Sequence, residues 1–219
     1  MTTRVLVERG NKKVFATAVD WPGWSRGATT GDEALARLIE YGPRYKGSSG
    51  AAAASLDPPR SIDDLDVVLD TKGDANVDYG VPHTIVALDR EMVSDAELER
   101  EIGLLEAAWN AFESAAAKAA GKTLTSGPRG GGRSVAQMVD HVHEADRAYI
   151  GALGAKAPPP DAGRSATTSA FIDALHAKVR GELPEVGPRG GARWPARYAV
   201  RRSAWHALDH AWEIEDRIR

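Results

Sequence analysis

The alternation of apolar and polar positions near the start of the chain predicts a β-hairpin. Residues 5–8 and 13–19 are short runs rich in β-branched and apolar side chains, a pattern typical of strands. The segment 9–12 between them has the glycine, asparagine and lysine content of a tight turn. Thr30 and Glu33 then form a capping-box pattern that predicts the start of a helix. We therefore expect two strands followed by one helix.

The remaining residues before position 90 complete a small α+β unit. The helix is expected to end near Gly42 and Pro43, because proline lacks the backbone N–H that a helix interior uses. Residues 46–59 are small and polar and predict a loop. Two further strands are predicted over residues 65–69 and 84–88.

Beyond residue 93 the apolar spacing changes to that of helices. Ser94 and Glu97 form a second capping box, and behind them apolar residues recur at steps of three and four. The apolar seam consists of Leu98, Ile102, Leu105, Trp109, Phe112 and Ala116. Three more helices are predicted over residues 134–153, 168–180 and 196 to the C-terminus. Four helices of this length predict a bundle.

Length and composition fit one large domain or two modest domains in an ordinary globular protein. The chain has 219 residues, of which 42% are hydrophobic and 27% charged. We expect a small α+β domain over residues 1–90 and an all-α four-helix bundle over residues 91–219. The N-terminus lacks the apolar run of a signal peptide, and no stretch approaches the ~18 apolar residues of a membrane span. These features predict a cytoplasmic protein with no membrane partner.

Charge and cysteine content narrow the chemistry that the chain can perform. A net charge of −3 and an isoelectric point near 6.1 give no electrostatic reason to bind nucleic acid. The sequence contains no cysteine, which excludes disulfides, thiolate metal sites and cysteine nucleophiles. A bound metal ion would therefore need His, Asp or Glu ligands, and there are six histidines.

Three of the six histidines have a spacing that suits one metal site. His206 and His210 lie four residues apart, so on a helix both imidazoles face the same side. In the second predicted helix His141 flanks the apolar face, whereas His143 lies nearly opposite it and is expected to be solvated. His141, His206 and His210 are therefore the candidate ligands. On the fourth helix, however, His206 and His210 lie across from the apolar side, a pattern that equally fits a solvated polar face.

A near-duplicate heptapeptide precedes the second and fourth predicted helices, at residues 127–133 and 187–193. Exposed backbone N–H groups and guanidinium groups together can bind an anion. The candidate substrate-binding residues are therefore Arg129, Arg133, Arg189 and Arg193. Trp194 follows the second copy, where it would line a substrate mouth or fix the entry of the helix. Neither copy continues as Gly-Lys-Ser/Thr, which excludes a P-loop, and both segments equally fit flexible connectors.

Two motifs in residues 94–219 resemble those of the DinB-like four-helix superfamily. They are Arg133-Ser134 with Asp140-His141, and the later segment Ala204-Trp205-His206-Ala207-Leu208-Asp209-His210-Ala211-Trp212-Glu213. The resemblance implies one metal-ligand histidine in the second helix and a His-x3-His pair in a later one. His141, His206 and His210 fill these three positions. With three protein ligands, such a site keeps a coordination position open for water or substrate.

The resemblance implies a divalent-metal-dependent enzyme. Imidazole ligands suit zinc, nickel, copper or iron(II), and zinc or nickel is the favoured ion. The superfamily includes transferases and isomerases that use bacillithiol, mycothiol or glutathione. Because this chain has no cysteine, such chemistry would need a low-molecular-weight thiol as a cofactor. Glu144 and Glu213, each three residues after a proposed ligand, are candidates for proton transfer, and both equally fit exposed ion pairs. The expected partners are a small-molecule substrate and a second copy of the chain.

The N-terminal order of strand, strand, Trp21-Pro22-Gly23-Trp24, Gly27, Thr30 and helix resembles the HicB-like antitoxin fold. A generic hairpin packed on a helix would show the same pattern. The resemblance supports a second hypothesis, a non-catalytic regulatory or interaction protein built on an antitoxin-like domain plus a bundle. The sequence shows no basic stripe and no helix-turn-helix motif, so we expect no nucleic-acid partner.

Overall fold

The structure, a computed structural model, describes residues 2–126 and 132–218 and begins with a four-stranded sheet. The strands are β1 (Thr3–Arg9), β2 (Val14–Ala18), β3 (Ser25–Ala28) and β4 (Leu65–Lys72). Their order is β3-β2-β1-β4, with antiparallel pairing except between β1 and β4, which are parallel. One helix lies between β3 and β4 and the other helices follow the sheet along the chain, so the mixed α+β architecture predicted from the sequence is confirmed.

Six α-helices lie within the described part of the chain. The first, α1 (Gly31–Ser49), packs against β2 and β3, and the short α2 (Ala75–Tyr79) follows β4. The longer helices that follow are α3 (Asp95–Lys118), α4 (Val135–Leu153), α5 (Gly163–Val179) and α6 (Ala196–Arg217). None of these described helices is both long and apolar enough to cross a membrane.

The prediction that the first helix ends at Gly42 and Pro43 is wrong, because α1 continues through Pro43 to Ser49. The second half of the helix is held by Tyr45, which is fully buried and stacks on Trp24 at 5.3 Å between ring centroids. The Tyr45 hydroxyl also donates to the Pro22 carbonyl at 2.9 Å. These contacts offset the one backbone hydrogen bond that proline removes. The predicted loop over residues 46–59 accordingly begins only after the helix.

The strand predicted over residues 84–88 is also absent from the structure. The backbone N–H groups of His83 and Thr84 donate to the buried carboxylate of Glu8, and that of Val86 donates to Asp89. Because these N–H groups already have side-chain acceptors, they do not pair with a neighbouring strand. A 3₁₀ turn follows over Ala87–Arg90. The sequence patterns also missed β3 and α2, which are only four and five residues long.

Side-chain caps define the starts of α3 and α4 where the sequence predicts them. Ser94 and Glu97 form a reciprocal capping box, and Ser134 and Gln137 form another. The helix predicted to start at residue 168 begins instead at Gly163. Its first turns tolerate Thr167 and Thr168, because both hydroxyls donate to backbone carbonyls of the same helix.

A single cluster of buried apolar side chains contains residues of the sheet, α1 and the four later helices. The turn between β2 and β3 packs directly on α6: Gly23 has a φ of +94°, and a Cβ added there would lie 2.9 Å from Leu208 Cδ1. Trp24, which follows in the turn, is fully buried. The sheet unit therefore supports α6 from one side, while α3, α4 and α5 pack against its other sides.

A buried polar network links the four later helices. Trp109 of α3 donates its indole N–H to Ser203 Oγ of α6 at 3.1 Å, and Ser203 donates to Asp146 of α4 at 2.5 Å. Arg164 of α5 completes the network with an ion pair to Asp146 at 2.6 Å. Burial raises the pKa of Asp146, and the hydrogen bonds from Arg164 and Ser203 act in the opposite direction. Partners from α5 and α6 thus contact this buried carboxyl group directly, and Trp109 of α3 is linked to it through Ser203.

Candidate metal centre

The structure brings the three predicted ligand histidines together. His141 lies on α4, and His206 and His210 lie on adjacent turns of α6. One nitrogen of each side chain lies within 4.8 Å of the corresponding nitrogen of the other two. The Nε2 atoms of His141 and His206 are 3.0 Å apart. The three side chains are therefore close enough to bind one metal ion.

The local structure explains how these side chains converge. The cap at Ser134 sets the start of α4, and His141 follows two turns later on the side of α4 that faces α6. His206 and His210 are 6% and 8% exposed, so α6 is buried on the side that carries them. The alternative of a solvated polar face therefore does not describe α6. His143, expected to be solvated, is partly buried instead and contacts Glu113 at 2.9 Å.

Glu213 fixes the ring orientation of His210. Its carboxylate accepts from His210 Nδ1 at 2.9 Å and from Arg217 at 2.5 Å. These hydrogen bonds, with that from His210 the stronger influence, lower the pKa of Glu213. A carboxylate bound to Nδ1 places the proton on that nitrogen and leaves Nε2 with a lone pair for a metal. Glu213 therefore orients His210, one of the three candidate metal ligands.

The electrostatic environment keeps two of the imidazoles neutral. Burial lowers the pKa of His206 well below its ordinary value, and the neighbouring His210 and Arg202 lower it further. The pKa of His141 is also lowered, first by burial and then by Arg133. A metal ligand must be the neutral imidazole, since protonation removes the lone pair. The site thus favours the form that binds metal.

The separation of His141 and His206 suits a hydrogen bond between neutral imidazoles and is also compatible with two ligands of one cation. Two Nε2 atoms can share a hydrogen bond only when one of them carries the proton, whereas a metal ion accepts both lone pairs. Nitrogens bound to one tetrahedral ion at about 2.0–2.1 Å lie roughly 3.3 Å apart. The 3.0 Å separation of His141 and His206 is close to that value. Among the described residues only these three side chains converge, so an ion bound by them would keep a coordination position for water or substrate.

The three histidines lie in a cavity of about 790 Å³ between the sheet unit and the helices α4 and α6. Arg26 of β3 and residues 79–81 form one wall, and Arg133, Tyr149 and Arg202 lie on the helical side. Arg26 lies 4.0 Å above the Tyr41 ring and pairs with Asp209 of α6 at 3.3 Å. The N-terminal part of the chain therefore contributes to the site.

The other predicted site residues are spread over several places. Glu213 and Arg133 line the cavity, whereas Glu144 is exposed on α4. Arg189, Arg193 and Trp194 line a separate depression. Arg129 lies outside the described residues.

The second glycine–arginine segment is tied to α4 by hydrogen bonds. The Arg193 guanidinium donates to the Gly151 carbonyl at 2.8 Å, and the backbone N–H of Trp194 donates to Ala152 at 2.9 Å. The Trp194 ring lies 5.0 Å from that of Tyr149, which in turn is 6.3 Å from the His206 ring. Trp194 thus reaches the histidines through one intervening side chain.

Sequence patterns missed two residues that shape the cavity. Arg202 lies four positions before His206, the same spacing that separates His206 from His210. Extending this i, i+4 pattern by one step toward the N-terminus would have identified Arg202 from the sequence. Arg26 carries no comparable signal, because its role depends on packing between distant segments.

A scan against protein-family models and searches of curated proteins and of solved structures find no match to this chain.

Proposed function

We propose that this chain is a divalent-metal-dependent enzyme of the DinB-like class, with His141, His206 and His210 as the metal ligands. The observation that carries the proposal is the convergence of three imidazole nitrogens within 4.8 Å beside an open cavity. Zinc and nickel are the favoured ions, because neutral imidazole is a ligand that both accept. When bound, such an ion acts as a Lewis acid and lowers the pKa of a coordinated water or thiol.

The placement of the ligands supports the DinB-like resemblance. One histidine comes from the second of four successive long helices and two come from the last, the distribution that the resemblance implies. The four helices also pack against one another, as a DinB-like bundle would require. We extend the proposal to a cytoplasmic enzyme that pairs with a second copy of itself.

The reaction class that we propose is transfer or isomerisation with a small-molecule thiol. The chain has no sulfhydryl group of its own, so the thiol must enter the cavity as a cofactor. Residues of this chain would bind and orient it. Glu213 holds His210 in the tautomer that can bind a metal. The rings of Tyr149, Trp205 and Trp212 form the apolar part of the cavity wall.

Metal analysis of the purified, untagged protein tests the metal centre. After reconstitution with zinc or nickel we expect about one bound ion per chain, and a small fraction of that in His206→Ala and His141→Ala. His176→Gln is the matched control, because His176 is also a helical histidine but pairs with the exposed Glu99 and does not line the cavity. It should bind metal like the wild type.

Two results would separate the proposal from its competitor. Wild-type protein that takes up no stoichiometric metal would contradict the metal centre and favour the non-catalytic regulatory function that the HicB-like resemblance suggests. Metal-loaded protein that is inactive with every cellular low-molecular-weight thiol would contradict only the thiol step and would favour a metal-dependent hydrolase instead.

A further inference from the structure

The Arg202 side chain lines the same cavity as the three histidines, and no carboxylate of the described residues forms a salt bridge with it. Its Nε and Nη1 atoms are buried and lack hydrogen-bond partners among the residues that the structure describes. The guanidinium lies 4.7 Å from the Trp205 ring centroid and 5.5 Å from that of Tyr149. These aromatic faces hold the cation in place without accepting its N–H groups.

The carboxylates of the cavity are already committed to other cations. Asp209 pairs with Arg26, and Asp216 pairs with Arg44 at 2.8 Å. Glu213 accepts from both His210 and Arg217. The Arg202 side chain is partly buried, and burying guanidinium N–H groups without acceptors is costly. Arg202 therefore has the features of a group whose partner is a ligand.

We infer that Arg202 binds the carboxylate of an anionic substrate and holds it beside the three histidines. This inference rests on the proposed function, since it names the substrate class of the same site. Arg133 is an exposed residue that lines the same cavity and adds a second positive charge to it. The substrate is thus a small carboxylate-bearing molecule whose reacting part faces the histidine nitrogens.

A carboxylate fits this subsite better than a phosphate. The Arg202 guanidinium is held between flat aromatic walls, which suit a planar monoanion attached to an apolar body. Three carboxylates also line the cavity, and they would repel a dianion more than a monoanion. The phosphate alternative is a separate outcome of the test below.

The test measures binding of benzoate to the metal-free protein by isothermal titration calorimetry. Arg202→Met keeps an unbranched apolar stem between Tyr149 and Trp205 but removes the charge. We expect it to weaken the benzoate Kd about tenfold or more. Arg60→Met, a change at an exposed arginine outside the cavity, should leave the Kd unchanged. Benzyl alcohol, the neutral analogue, should bind the wild type more weakly than benzoate.

A second variant keeps the inference falsifiable if the first one is unstable. Arg202→Lys retains the cation and should retain part of the benzoate affinity. The inference is overturned if the wild type does not bind benzoate, if a folded Arg202→Met binds it as tightly as the wild type, if a folded Arg202→Lys retains none of the affinity, or if inorganic phosphate binds and benzoate does not. Because these titrations use metal-free protein, a failure of the metal centre in the metal analysis does not alter their result.

Discussion

At the scale of single residues, the interaction between Glu213 and His210 shows how a ligand is prepared. Glu213 lies three positions after His210 on the same helix and accepts from its Nδ1. Arg217, four positions further on, holds the other carboxylate oxygen. The sequence placed Glu213 near the site through this spacing, but the spacing could not distinguish a proton-transfer group from a group that orients a ligand.

Replacing Glu213 with glutamine tests this orienting role. Glu213→Gln keeps an oxygen that can accept from His210 but removes the negative charge that favours a proton on Nδ1. We expect metal affinity to fall about 10- to 100-fold, the usual effect of losing such a partner. Competition with a chromophoric chelator measures the affinity. Glu106→Gln, at an exposed position of α3, is the control, and equal losses in both variants would contradict the assigned role.

At the scale of elements, predictions succeeded where the signal is local and failed where packing decides. The starts of α3 and α4 are fixed by side chains three residues apart, so the sequence shows them directly. Pro43 gives an equally local signal for a helix end, but contacts of Tyr45 with distant residues override it. The segment at 84–88 has strand-like residues, yet Glu8 and Asp89 capture its N–H groups.

The capping box at the start of α3 makes the free energy of unfolding depend on pH in the acidic range. The backbone N–H and the hydroxyl of Ser94 donate to Glu97, and with Arg197 they lower the pKa of Glu97 to about 2. A carboxyl group whose pKa is lower in the folded state stabilises the fold above its unfolded pKa, and this contribution is lost as the pH falls toward the folded value. The loss should therefore occur between about pH 5 and pH 2.

Glu97→Gln isolates this contribution, because the amide retains a cap oxygen that cannot titrate. Urea unfolding should show the wild type more stable than the variant near neutral pH, with the difference narrowing as the pH falls below about 5. Glu106→Gln is the control. Its free energy of unfolding should differ from that of the wild type by an amount that changes much less with pH. A difference for Glu97→Gln that stays constant over the whole range would show that the cap is not electrostatic.

At the scale of the whole molecule, α6 explains why the site could be predicted only in part. Spacing along two helices was enough to choose His141, His206 and His210 from six histidines. The burial of His206 and His210 could not be read from one helix, because a single apolar side is expected for a helix packed on one neighbour. Here α6 contacts α3, α4 and α5 and also packs against the turn at Gly23. The wall formed by Arg26 likewise exists only after distant segments meet.

The shared core predicts that the sheet unit and the helices unfold together. Gly23→Ala should test this coupling, because the added Cβ would lie 2.9 Å from Leu208 Cδ1 at a φ of +94°. We expect a loss of about 1–3 kcal/mol. Hydrogen exchange should show the same loss in β1, β2, α3 and α6. Gly103→Ala is the control, since no atom crowds that position in α3, and it should leave stability equal or slightly higher. Separate transitions for residues 1–90 and 91–219, with only the first displaced by Gly23→Ala, would instead support two independent domains.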